Sequence, residues 1–106
     1  PDFTAVVCYN DLLAMGAIDA LRQAGRRVPE AVSVTGFDDI SGECAFTPEI
    51  TSVAFDREEM GRQAVRMLYA NVDAAIADPL TTPAAVEATV PVSLSVRKST
   101  APVKLS

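Results

Sequence analysis

The chain has 106 residues, is 49% hydrophobic with only 6% aromatic, and carries a net charge of −5. That is one domain's worth of material at most, with a modest core, and its nine scattered Lys and Arg do not make a surface that grips a phosphate backbone. The sequence contains no histidine, which removes the usual general base and the commonest metal ligand.

Ala5-Val-Val-Cys-Tyr9 is a continuous apolar run of strand length stopped by Asn10 and Asp11, and it reads as a buried parallel strand. Asn10 or Asp11 then caps a helix, because either side chain can accept from the free amides of its first turn. The helix runs to about Ala24, and Gly25 supplies the left-handed residue that ends it. Leu13, Ala17, Ala20 and Ala24 form a stripe of small residues suited to close packing on a sheet; Leu12, Met15, Ile18 and Leu21 form a second stripe. A helix apolar on two sides needs two partners, and the second is another layer or another subunit.

Val32 to Phe37 reads as the next strand, ended by Gly36 and the acidic pair Asp38 and Asp39. Strand, helix and strand make a crossover that is right-handed and parallel in nearly all folds. Asn10 and Asp38 each follow the last residue of a strand, so they are expected together on the carboxyl edge of the sheet, where open α/β sheets bind ligands. An amide that donates and accepts beside a carboxylate that only accepts suits ligand hydroxyls or amides. The plainer reading is that Asn10 caps the helix and Asp39 makes a turn.

Ser41 to Pro48 carries no period and reads as a loop, and Ile50 to Phe55 is rich in β-branched residues and reads as a short strand. Asp56 and Glu59 have the spacing of a capping box, and the helix they open runs to about Ala75, with Met60, Ala64, Met67, Leu68, Asn71 and Val72 along one face. Ala74 to Ala85, with Pro79 and Pro83, is a connector. Val86 to Val96 reads as two short β pieces divided by Pro91, and Arg97 to Ser106 as a frayed tail without pattern.

The motifs of dinucleotide binding, phosphate loops and the hydrolase elbow are absent, so no cofactor and no catalysis are expected. Asp38 and Asp39 as a magnesium site of an enzyme or phosphoacceptor domain is a remote alternative, because a doubled Asp at a turn is more often only a turn. Cys8 and Cys44 are too few for a disulfide framework or a zinc cage, which points to a reducing, cytoplasmic setting. No apolar run approaches about 20 residues and the N-terminus lacks the order of a signal peptide, so no membrane association is expected.

Several segments in order carry a family resemblance: Asn10-Asp11-x-x-Ala14-x-Gly16-Ala17, Ala20-Leu21-x-x-x-Gly25-x-x-Val28-Pro29, Ser33-Val34-x-Gly36-Phe37-Asp38-Asp39, Pro48-x-Ile50-Thr51-Ser52-Val53, Gly61-Arg62-x-Ala64 and Leu94-x-Val96-Arg97-x-Ser99-Thr100. Together they resemble the lactose-repressor/galactose-repressor family over nearly the whole chain. The resemblance implies an α/β, parallel-sheet, three-layer subdomain of the periplasmic-binding-protein type, as a fragment of an effector domain in which two subdomains close on a small ligand. It implies that residues 1–50 and 85–100 belong to the C-terminal subdomain, that the chain crosses at about Thr51, and that residues 51–78 belong to the N-terminal one. The implied partners are a small effector, in all expectation a sugar, a second copy of the chain, and DNA only through an N-terminal head outside this sequence. The first helix and the loop around Cys44 to Phe46 match the family's homodimer interface. Asn10 and Asp38 match its ligand-contacting Asn and Asp; Phe55 stands where many members have glutamine, and Arg57 at another pocket-lining position. An aromatic ring at Phe55 suits stacking on a sugar face and replaces the usual polar contact. A periplasmic-type sugar-binding protein for transport is the alternative of the same architecture.

Overall fold

The structure, a computed structural model, describes residues 2–40, 45–80, 82 and 85–103. Its elements are β1 (Ala5–Val7), α1 (Asp11–Gln23), β2 (Ser33–Phe37), β3 (Thr51–Phe55), α2 (Arg57–Ala77) and β4 (Val92–Ser95). The chain divides into two units: Pro1–Phe55 with Val92–Ser106, and Asp56–Pro91. The second unit thus begins five residues after the crossing expected at Thr51, and β3 pairs with β2 in the first.

The first unit is built on a four-stranded sheet of order β1-β2-β3-β4. The first three strands are parallel, and β4 is antiparallel to β3, with Phe55 opposite Val92. The chain leaves the sheet at Phe55 and re-enters it beside the same residue, so the last strand must run the other way. The result is a mixed sheet rather than a wholly parallel one.

The core lies between α1 and one face of the sheet. Ala14, Ile18 and Leu21 from the helix meet Val32 and Val34 and Ile50, all buried. Alternation along β2 turns Val34 and Gly36 toward the helix and Ser33, Thr35 and Phe37 away from it. Each fully buried Val or Ile side chain of this cluster stabilises the fold by about 1.5–3 kcal/mol. The helix does not use its small-residue stripe for this contact: Leu13 is exposed, while the row Asp11, Ala14, Ile18, Leu21 faces the sheet. Asp11 stands buried at the head of that row.

The expectation of a buried first strand is not met. Val6 and Cys8 pack against the core, but Val7 and Tyr9 are 84% and 85% exposed. β1 is an edge strand, and among the described residues a helix covers only one face of the sheet in this unit. Burial pushes the Cys8 thiol above its ordinary range, so it behaves as a small apolar side chain.

The helix ends follow the sequence. Asn10 caps α1, its Oδ1 accepting from the Leu13 amide at 2.9 Å. Gly25 ends it at φ +72°, while the Arg26 amide donates to Leu21 and the Gly25 amide to Arg22, a Schellman closure. Asp56 caps α2 by accepting from the Glu59 amide at 2.8 Å. Within the second unit α2 buries none of its residues, and Met60, Leu68 and Val72 are exposed.

Two late expectations change. Val86 to Val90 forms no strand; Pro91 offers no amide to a ladder, and pairing begins only at Val92. Arg97 to Ala101 is not frayed but stitched into the sheet. Ser99 is fully buried, its hydroxyl donating to the Val34 carbonyl at 2.6 Å and accepting from the Thr51 amide at 2.8 Å. Thr51 and Thr100 hydroxyls meet at 2.8 Å, and the Ala101 amide donates to Ser33 Oγ at 3.1 Å. Hydroxyl-to-backbone bonds leave no hydrophobic period, so a pattern search passes over them. The expected interface loop lies partly outside the described residues, Cys44 included.

Candidate functional site

The strand registers place the two expected contact residues on one edge. Val7 is opposite Thr35, the last matched pair of β1 and β2, and Asn10 and Asp38 each lie three residues beyond that pair. Both are partly buried. Asn10 therefore caps the helix and stands at the carboxyl edge at once; the two readings of it are compatible.

Asp38 and Asp39 both take positive φ, +93° and +56°. Left-handed backbone is uncommon outside glycine, and Asp is among the residues that tolerate it. The pair turns the chain sharply off the end of β2. The Asp38 amide donates to the Val53 carbonyl at 3.0 Å, and the Asp39 amide to Ser52 Oγ at 3.1 Å. The Asp39 carboxylate accepts from the Arg97 guanidinium and from Ser95 Oγ, the latter at 3.3 Å.

Beneath the turn lies Asp11, fully buried. One of its oxygens accepts from the Ile40 amide at 2.7 Å and the other from Ser52 Oγ at 2.6 Å. Gly36 makes room for it: a Cβ there would stand 2.1 Å from Asp11 Oδ1 and 3.1 Å from its Cα. Gly36 is thus not the residue that ends β2 but one inside it, opposite Ser52. The sequence offers Asp11 as a cap, and it shows Ser52 and Arg97 only as members of the family segments, with no role at the site. The available signal was a glycine in a strand of β-branched neighbours, which marks close approach of another group.

Arg97 reaches the same cluster from the segment after β4, its guanidinium also donating to the Ile50 carbonyl at 3.0 Å. The hydrogen bond to Asp39 raises its pKa above the ordinary arginine value against the cost of burial, and the charges of Asp39, Asp11 and Glu49 add to the rise. The two side chains are 24% and 21% exposed. Arg97→Met is expected to destabilise the protein by about 1–2 kcal/mol, between the values for surface and buried pairs, with Arg97→Lys recovering only part. Urea denaturation of the three proteins measures it; equal midpoints for Arg97→Met and wild type would contradict it.

This pairing also bears on the magnesium reading of Asp38 and Asp39. One of its two carboxylates already faces a guanidinium and a hydroxyl, so the donor set of a divalent site is not available as a pair. Among the described residues no group of three or more acidic, cysteine or histidine side chains is placed to hold a metal.

Phe55 points to the other face of the sheet from Ser52, and its ring lies 5.7 Å from that of Phe37, tilted by 42°. It sits partly buried at the end of β3, level with the acidic turn. Arg57 is the first residue of α2, exposed, in the second unit. The structure thus puts Asn10 and Asp38 at the same edge of the sheet, brings Phe55 against Phe37, and carries Arg57 on a separate element.

Comparison with known proteins agrees in one direction. The model of the family described as "periplasmic binding protein-like domain" matches residues 1–100. The HTH-type transcriptional repressor PurR of Haemophilus influenzae (strain PittEE) is 42% identical over 69 residues, 65% of this chain and 20% of the repressor. The chain therefore spans about one fifth of the length of such curated relatives. A LacI family transcriptional regulator from Enterococcus faecium, solved with bound ribose, superposes with a TM-score of 0.74 at 33% identity, over 95% of this chain and 36% of that one. The transcriptional regulator CelR in complex with cellobiose gives 0.73 at 40% identity, over 93% of this chain and 28% of that one.

Proposed function

Because this chain belongs to the periplasmic-binding-protein-like family, as the effector domain of the lactose-repressor/galactose-repressor regulators, we propose that it forms part of the effector-sensing domain of a transcription regulator. The reading includes a cytoplasmic, non-catalytic protein that acts as a homodimer and meets DNA through a separate head. Among the described residues no helix is long and apolar enough to cross a membrane. The exposed Leu12 and Leu13 on α1 support a partner on that side of the helix. The effector we propose is a sugar, the class of ligand seen in the two regulators above.

The observation that supports the proposal is the register of β1 and β2, whose last pair, Val7 and Thr35, stands three residues before both Asn10 and Asp38 at the carboxyl edge of neighbouring parallel strands. The cap occupies the Asn10 oxygen, which leaves the amide nitrogen as the group to donate to a ligand oxygen. Asp38 accepts from hydroxyls and Phe55 offers its ring to a sugar face; Arg57, on the second unit, is proposed as a contact in its own right. Residues 51–78 are proposed to include the family's excursion into the other subdomain, in the part that begins at Asp56. Effector binding then favours one arrangement of two subdomains, and its differential affinity for that arrangement is the free energy that reaches the DNA-binding head.

Calorimetric titration with ribose and cellobiose, followed by a wider sugar panel, tests the reading. Asp38→Ala is expected to weaken the sugar that binds by at least about tenfold, the value of one hydrogen bond to a charged acceptor. An affinity unchanged by both Asp38→Ala and Asn10→Ala would remove this edge of the sheet as the effector site.

A further inference from the structure

We propose that Asp11, with Ser52, is the positioning residue of the site: a buried carboxylate that sets the left-handed turn presenting Asp38. The inference rests on the reading of Asn10 and Asp38 as effector contacts and extends it to a residue that touches no ligand. Three consecutive amides, those of Asp38, Asp39 and Ile40, are each given a fixed acceptor. The first goes to a strand carbonyl, the second to Ser52 Oγ, the third to Asp11 itself. Ser52 is oriented by Asp11 in turn, since its hydroxyl proton goes to Asp11 Oδ1 and leaves the oxygen to accept from Asp39. Two of the three amides therefore depend on one carboxylate.

The turn needs this support. Two successive non-glycine residues at positive φ are each unfavourable by themselves and persist only where their surroundings over-determine them. A carboxylate at the first position of a helix is ordinarily a solvated partner of the helix dipole. Asp11 occupies that position yet is fully buried beneath the turn, and β2 forgoes a side chain at Gly36 to admit it. As the residue after Asn10 and the acceptor for the amide two residues past Asp38, it fixes both proposed contacts relative to each other.

Amide hydrogen exchange on the ligand-free protein tests this in Asp11→Asn, Ser52→Ala and their double variant. Asp11→Asn keeps the size and one acceptor but sets an NH2 group against one of its two donors; Ser52→Ala keeps the carboxylate and its bond to the Ile40 amide but removes the hydroxyl that donates to Oδ1. In both, exchange at Asp39 and Ile40 should rise at least about tenfold more than it does at the core amides of Ile18 and Val34, whose own rise reports the global loss of stability. The double variant should exchange no faster than the faster single one, because both act through one device. A purely structural role would speed all these amides by a common factor, and that result, or unchanged exchange at Asp39 and Ile40, overturns the proposal. Titration with the sugar that binds wild type, beginning with ribose and cellobiose, separates the two readings. Faster exchange in Asp11→Asn together with an affinity indifferent to both Asp38→Ala and Asn10→Ala overturns the effector-contact reading and leaves the positioning role standing. Loss of affinity in Asp38→Ala with neither affinity nor exchange altered in Asp11→Asn overturns the positioning role alone.

Discussion

Gly36→Ala is expected to lower stability by about 2–4 kcal/mol, the range of an overpacked site that also strands a buried polar group. The sign is the informative part. In an ordinary strand interior, alanine is favoured over glycine by roughly 0.5–1 kcal/mol because glycine loses more backbone freedom on folding. Here the added carbon would lie 2.1 Å from Asp11 Oδ1, with the Asp11 backbone at 3.1 Å behind it. The oxygen can withdraw only by leaving Ser52, to which it is bonded at 2.6 Å, and no solvent stands ready to replace that bond at a fully buried carboxylate. Chemical denaturation measures the change, and an alanine variant as stable as wild type would show that the carboxylate has room to move. Combining Gly36→Ala with Asp11→Ala is expected to cost less than the two singles added together, because the second substitution removes the group the first one strikes.

The elements that were legible in the sequence are those written in side-chain types with local causes. Asn10, Gly25 and Asp56 act over one helical turn, so cap and stop could be read where they stand. That Asn10 and Asp38 follow strands ending on one edge was legible because a crossover between neighbouring parallel strands leaves little choice of edge. What was not legible depends on contacts distant in sequence. Asp11 and Ser52 are 41 residues apart, and Arg97 reaches Asp39 from 58 residues away. Nothing in the neighbours of Ser99 announces that its hydroxyl closes the gap between Val34 and Thr51. An Asp after a capping Asn looks like a second cap, and only the missing Cβ at Gly36 tells that it is turned inward.

The faces of the apolar runs could not be told apart for a related reason. Val7 and Ile18 both sit in segments rich in aliphatic residues, yet Val7 is 84% exposed and Ile18 fully buried. Ile18→Ala is accordingly expected to cost about 3–4 kcal/mol, transfer of the lost methyl and methylene groups plus the cavity they leave. Val7→Ala should cost under about 1 kcal/mol, a strand preference with little packing behind it. A domain of this size is stable by roughly 5–15 kcal/mol, so the first substitution consumes a large share of the total and the second a small one. Ile18 lies in the row Ala14, Ile18, Leu21 that meets Val32, Val34 and Ile50, and Asp11 begins the same row. Loosening that row should also loosen the helix start that carries Asn10. Thermal or urea denaturation of Ile18→Ala and Val7→Ala, read side by side, checks the assignment of faces: similar losses would mean that the sheet is packed on the side left bare here, and the core would have to be drawn again around β1.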